Sequence, residues 1–417
     1  MHMVQVCAQY PPDAPWPASS YYYDIQTCLA VQEGSTKIDR RRPIPAQERF
    51  AGNIQGSKEE VATEIELASN FPRVLPAREA KPNAQNGNGD SDLTSALKSP
   101  SRVWAVLIGI DAYGYPTYPL RGCVADALAM KQYLVEDLLV PKERIQSLLG
   151  CHDTSPTDVS PIPSRANIVG TLLSLITNPN IERGDPIIIY FAGHGSRYRS
   201  SDYYDNEVPD DDKEPDDERS HKYIEALCPT DRDSGESSGT PIPDISDREL
   251  NTVLSQLSRT KGHQITVILD CCHAGSLTRT VTSDVRTAPP LKRFLLEEML
   301  RAGEEDLKDL PGYLPGSILA VDWCPDMASH VLVAACRGHE YASSKEVRKA
   351  KGMLDSWGGV FTSLLIGTLK SGQLREQATY TDLIKALPRR DLRQYSQTPI
   401  TRGKRKRTCL WYQDRRR

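Results

Sequence analysis

Ile265–Ser276 reads ITVILDCCHAGS. Its first half holds an apolar, largely β-branched run, Ile265, Val267, Ile268 and Leu269, which suits a strand covered on both faces. Its second half is polar and reactive. Asp270, Cys271, Cys272 and His273 lead into Ala274 and Gly275, small residues that let the backbone turn sharply. Reactive side chains at the carboxyl end of a buried strand stand where open α/β sheets place their ligand sites. Side chains alternate along a strand, so Asp270 and Cys272 share a face and Cys271 points to the other, as a packing residue.

Asp185–Gly195, DPIIIYFAGHG, is built the same way and ends in His194 between two glycines. If the two strands are neighbours in a parallel sheet, His194 meets Cys272. A cysteine and a histidine are the minimal set for thiolate catalysis: the imidazole takes the thiol proton and later protonates the leaving amine. A neighbouring imidazolium would lower the Cys272 pKa from about 8.5 into the ~3.5–7.5 range of activated thiols. A free cysteine is more often buried and structural, and a strand-end histidine is often only a satisfied polar residue. The matched placement of the two favours a catalytic pair, and Gly193 and Gly195 would admit a substrate backbone.

YFAGHG and LDCCHAGS resemble the histidine and cysteine motifs of the caspase-like cysteine peptidases, most of all the metacaspases. Val103–Asp111 (VWAVLIGID), Leu120–Ala127 (LRGCVADA), Val331–Arg337 (VLVAACR) and Gly358–Thr362 (GGVFT) resemble further segments of that family in the same order. The resemblance covers Arg102 to Trp411. It implies a caspase-like α/β fold, a mostly parallel central sheet flanked by helices. It implies that Cys272 is the nucleophile, His194 the acid/base, and the Gly195 N–H an oxyanion donor beside the Cys272 N–H. It also implies cleavage after Arg or Lys, in a substrate pocket lined by Cys123, Asp126, Ala192 and Asp270. Two carboxylates suit a forked guanidinium, or an ammonium as a point charge. Cys123 and Asp126, three apart, lie on one face of a helix. Ala192 stands where the family often has serine. By the same resemblance the regions are a leader over 1–100, a large subunit over 101–276, a linker over 277–329 and a small subunit over 330–417. The chain is then expected to be a monomeric zymogen of a cell-death peptidase. Arg286, Lys292, Arg293 and Lys308 in the linker are expected self-cleavage sites, since exposed irregular segments are where proteases cut.

Calcium-dependent members carry an aspartate seven residues after the nucleophile. Here that residue is Arg279, and a cation there would repel Ca²⁺. Asp244 or Asp247 matches another ligand position, but the set is incomplete, so no metal ligand is assigned and weak or absent calcium dependence is expected. The run Asp202–Glu218, ten acidic residues against one lysine, reads as a solvated loop and lacks EF-hand spacing.

Composition narrows the classes further. The chain has 417 residues, 39% of them hydrophobic, and a net charge of −4. No apolar run approaches the ~20 residues a bilayer requires, and the N-terminus lacks a signal-peptide layout. Ten cysteines in this length suggest neither a disulfide framework nor zinc. The expectation is a cytoplasmic protein acting on peptide substrates, with no nucleic acid and no membrane. A Pro-rich start, the basic cluster Arg40–Arg42 and the polar KPNAQNGNGDSD run from Lys81 read as a flexible leader.

Downstream, helices are expected over Cys123–Leu139, Ser164–Ile176 (Ser164 as N-cap), Asp247–Leu257 (Asp247 as N-cap), Leu291–Ala302, Val360–Leu369 and Tyr380–Ala386. A last strand is expected near Cys409–Trp411, reached through a basic run from Arg402. His221, His263 and His339 carry no motif and read as surface residues. A non-catalytic caspase-like binding module is the rival reading; the intact Cys–His pair argues against it.

Overall fold

The computed structural model describes residues 101–114, 117–152, 160–204, 223–233, 241–272, 285–291, 294–338, 340–347 and 356–412. The expected leader, most of the acidic run, His221, His273, Arg279, Lys292, Arg293 and His339 lie outside the described residues.

The elements that build the core follow in chain order: β1 Trp104–Ile110, α1 Cys123–Glu136, β2 Ile145–Gly150, α2 Arg165–Thr177 and β3 Ile187–Ala192. Next come β4 Gly195–Arg199, β5 Tyr223–Leu227, β6 Ile245–Ser246, α3 Asp247–Lys261 and β7 Ile265–Asp270. After them run α4 Phe294–Leu307, β8 Val331–Ala334, β9 Ser344–Val347, β10 Ser356–Gly359, α5 Val360–Lys370, α6 Tyr380–Ala386, α7 Arg389–Gln394 and β11 Ile400–Arg402.

Among the described residues the main sheet has six strands in the order β11-β8-β7-β3-β1-β2. Every neighbouring pair from β8 to β2 is parallel, and only the edge strand β11 runs antiparallel. The chain goes from β1 outward to β2, then returns past β1 to lay down β3, β7 and β8. The direction of winding therefore reverses between β1 and β3. A crevice opens at such a reversal, at the carboxyl ends of the strands. β1 and β3 end there, and β7 ends beside them.

Strand alternation sorts the apolar side chains into two layers. Ala105, Leu107, Ile188, Tyr190, Ile268 and Cys272 pack under α1, α5 and α6. Trp104, Val106, Ile108, Ile189, Val267 and Cys271 pack under α2 and α3. Cys271 and Cys272 thus fall on opposite sides of the sheet, as alternation requires. A second, antiparallel sheet, β4-β5-β6, and a hairpin, β10-β9, flank the crevice.

Three local expectations are corrected. The N-cap of α3 is Ser246, whose hydroxyl accepts from Glu249 N–H at 3.1 Å; Asp247 is the first helical residue. Both residue types cap well, and Ser246 does so because it ends β6 in extended geometry. The expected final strand near Cys409–Trp411 is a single helical turn at Leu410–Tyr412, with Trp411 at φ 55°. Its backbone turns there to bury the indole, which donates to Tyr133 Oη at 3.3 Å. The edge strand is β11, so it precedes the basic run instead of following it. The helix expected from Leu291 begins at Phe294 and continues to Leu307. No helix among the described residues is long and apolar enough to cross a membrane.

Candidate active site

β3 and β7 pair in register with Ala192 opposite Asp270. His194 and Cys272 each lie two residues past that last pair, so the sheet brings the expected histidine and cysteine to adjacent strand ends. Both are almost fully buried, at 1% and 0% exposure.

The His194 ring is held from several sides by the loop after β1. Its Nε2 lies 2.7 Å from the Tyr118 carbonyl oxygen. A carbonyl only accepts, so Nε2 carries the proton and Nδ1 keeps its lone pair. Nδ1 has no hydrogen-bond partner among the described residues. The His194 N–H donates to Tyr113 Oη at 2.8 Å, and the two rings stand 4.7 Å apart. Gly193 is required by this packing: a Cβ there would sit 2.7 Å from Tyr113 Oη. Tyr113 thus accounts for that glycine without any substrate backbone.

A segment of the chain itself, 285–291, within the stretch expected to be the linker, occupies the crevice. Arg286 is at 0% exposure. Its carbonyl oxygen accepts from both Gly195 N–H and Cys272 N–H, each at 3.1 Å. These are the two donors expected at an oxyanion site. Arg286 N–H donates to the Ala342 carbonyl at 3.0 Å, and Val285 forms an antiparallel bridge with Ser343.

The Arg286 guanidinium enters a pocket between α1 and β7. Nη2 reaches Asp126 Oδ2 at 2.5 Å, and Nη1 reaches Asp270 Oδ2 at 2.8 Å and the Asp270 carbonyl at 3.2 Å. Nε donates to Ser344 Oγ at 3.3 Å. The carboxylates are themselves pinned: Asp126 accepts from Gly359 N–H, and Asp270 from the Thr362 hydroxyl at 2.6 Å. A Cβ on Gly359 would collide with both carboxylates and with Arg286, so only glycine leaves the pocket open. Cys123 and Ala192 are buried in the core layer on this side of the sheet.

Electrostatics correct one expectation. Burial pushes the Cys272 thiol up to about 12, and burial pulls His194 down to about 3. The thiol donates to the Ala342 carbonyl at 3.6 Å and does not hydrogen-bond His194. With the linker in place the pair is a neutral thiol beside a neutral imidazole. The low thiol pKa expected from an imidazolium neighbour is absent because burial disfavours both the thiolate and the imidazolium.

Sequence reasoning missed three elements of this site. Ser344 belongs to no motif of the sequence. The place of Tyr113 against DPIIIYFAGHG likewise has no sequence signal. The Tyr118 contribution is a main-chain carbonyl, which any residue could supply.

The domain is thus an α/β unit, a mostly parallel sheet flanked by helices, with a cysteine and a histidine at the ends of adjacent parallel strands and an acidic pocket beside them. Residues 104–280 match the family model of the metacaspase, peptidase C14 domain. The chain is 29% identical over 188 residues to metacaspase-3 of Arabidopsis thaliana, covering 44% of this chain and 43% of that protein. It is 30% identical over 174 residues to metacaspase-1 of the same plant, covering 42% and 39%. It is 30% identical over 206 residues to metacaspase-1B of Neosartorya fischeri, covering 49% and 43%. The chain thus spans less than half the length of each of these relatives.

Proposed function

We propose that this chain is a cysteine endopeptidase that cuts after arginine through a Cys272–His194 dyad, and that its first substrate is its own Arg286–Thr287 bond. One observation carries the proposal. Arg286 lies as a substrate residue would, side chain between Asp126 and Asp270 and carbonyl oxygen on the Gly195 and Cys272 N–H groups.

In this reading His194 Nδ1 takes the thiol proton, and Cys272 Sγ attacks the carbonyl carbon before the cut. The oxygen gains negative charge against the Gly195 and Cys272 N–H groups; one such donor is typically worth ~2.7–4 kcal/mol in the transition state. The Nδ1 proton passes to the leaving amine, the C–N bond breaks, and a thioester remains on Cys272. Water, deprotonated by the same nitrogen, hydrolyses the thioester. Tyr118, by fixing the proton on Nε2, keeps Nδ1 ready for these transfers.

The test is hydrolysis of paired fluorogenic peptides that differ only in having Arg or Asp before the cut, by wild type and Cys272→Ala. Arg-selective turnover is expected, with loss of at least a thousandfold in the variant, in line with the cost of deleting a nucleophile. Equal turnover of both peptides, or an unaffected Cys272→Ala, would overturn the reading.

We also infer weak or absent calcium dependence. Asp244 accepts from Arg232 on both oxygens, at 2.7 and 2.8 Å, and from Tyr198 Oη at 2.7 Å, which leaves little for a cation. Burial, with the Glu225 carboxylate nearby, pushes Asp247 up to about 7. Turnover of the Arg peptide is expected to change less than threefold between chelator and millimolar Ca²⁺ (roughly RT in free energy); sharp activation would sink the inference.

A further inference from the structure

We propose that Arg232, Asp244 and Tyr198 form a clamp that binds the polypeptide on the far side of the scissile bond, gripping its main chain three and five residues beyond the cut. This deepens the peptidase reading and rests on it.

The linker is held well past Arg286. Thr287 forms a parallel bridge with Gly195, and Ala288 N–H donates to the Gly195 carbonyl at 2.9 Å. Two residues outside the catalytic centre then take over. Arg232 Nη2 donates to the Pro289 carbonyl at 3.2 Å, and Leu291 N–H donates to Tyr198 Oη at 3.3 Å. The hydrogen bonds from Arg232 and Tyr198 both go to main-chain groups of the linker, so the polar grip of the clamp reads backbone, not side-chain identity. Pro289 and Pro290 lack N–H groups, so neither leaves a donor in need of a partner here.

Asp244 explains why the grip is rigid. It is fully buried and binds Arg232 fork to fork, while its Oδ2 also accepts the Tyr198 hydroxyl proton. Arg232 Nη1 is spent on Thr117 Oγ1 at 3.0 Å. One Arg232 nitrogen and the Tyr198 oxygen therefore face the linker in fixed positions. One of the two aspartates that the resemblance offers for a metal-ligand position serves here to hold a peptide clamp. Leu291 also packs against the apolar cluster that contains Tyr198, Ile224 and Leu296, which adds an apolar anchor at the fifth position. Helix α4 begins three residues later. The new amino terminus at Thr287 accordingly stays in the groove after the cut, and Arg286 leaves first.

Replacing Arg232 would strand the Asp244 charge in the interior and endanger folding, so the test uses Tyr198→Phe, Leu291→Pro and the double variant. Proline removes the donating N–H at 291 and trims the Leu291 anchor, while Arg232, Asp244 and Tyr198 keep their side chains. Each full chain is translated in vitro, and the appearance of the Thr287 amino terminus is followed by mass spectrometry. Each single change is expected to slow the cut about three- to tenfold, the scale of one hydrogen bond. The double variant is expected to fall well short of the product of the two, because the same bond cannot be lost twice. Unchanged rates, or effects that multiply, beside wild-type turnover of an Arg-amide peptide would overturn the clamp. Loss of both self-cleavage and Arg-amide turnover in the wild-type chain would instead remove the peptidase reading, and the clamp with it.

Discussion

Arg286→Ala is expected to leave the chain uncut at residue 286 and to expose Cys272 to alkylation at least a hundredfold faster. Arg286 is the only described residue seen to span the acidic pocket and the two N–H groups at the strand ends. Removing it leaves Asp126 and Asp270 buried without their cation, and breaking such a pair costs about 3–5 kcal/mol. That is a hundredfold or more in the balance between docked and released linker. The measurement is made in a His194→Ala background, so that both chains stay intact, with iodoacetamide labelling of Cys272 read by mass spectrometry. The pH dependence has a definite sign. The docked thiol is raised to about 12, and a hydrated one lies near 8.5. The docked state therefore holds its full advantage below about 8.5 and loses it as pH rises. The labelling gap between the two chains is expected to narrow from pH 7.5 to pH 10. Equal labelling at pH 7.5 would show that the linker is not what covers the cysteine.

Asp126→Asn and Asp270→Asn are each expected to lower kcat/KM on Arg peptides by about thirtyfold or more. Each removes one charge of a fully desolvated pair, a loss of about 2–5 kcal/mol. The same geometry separates arginine from lysine. Arg286 spreads its contacts over Asp126, Asp270 and Ser344 through three nitrogens, whereas a lysine has one nitrogen and leaves a buried carboxylate unmatched. An Arg-over-Lys preference of at least tenfold is expected in the wild type, smaller in either Asn variant. Burial pushes Asp126 up to about 7, against the pull of Arg286. Below that pH it takes a proton and loosens its hold, so Arg-peptide turnover is expected to rise between pH 6 and pH 8, and Asp126→Asn to flatten that part of the rise. Equal Arg and Lys turnover would show that the pocket does not read the guanidinium fork.

Much of this protein is set locally and can be read along the chain. β-branched runs that end in reactive residues mark β3 and β7, because a parallel strand buried on both faces must be apolar throughout and its chemistry can begin only past its end. The two-residue period of a strand assigns Cys272 and Cys271 to opposite faces, and the helical spacing of Cys123 and Asp126 puts both beside the crevice. The helix capped by Ser164 follows from one hydroxyl. What only the tertiary structure decided depends on contacts between distant segments or on main-chain atoms that carry no sequence signature. The Tyr118 carbonyl fixes the histidine tautomer, yet any residue has a carbonyl. Arg286, Lys292, Arg293 and Lys308 are alike as basic linker residues; register in the groove gives Arg286 its place. Asp244 has the same side chain whether it binds a cation or braces Arg232 and Tyr198. The thiol pKa likewise follows from what covers the cysteine, since desolvation belongs to the packed assembly and not to the motif.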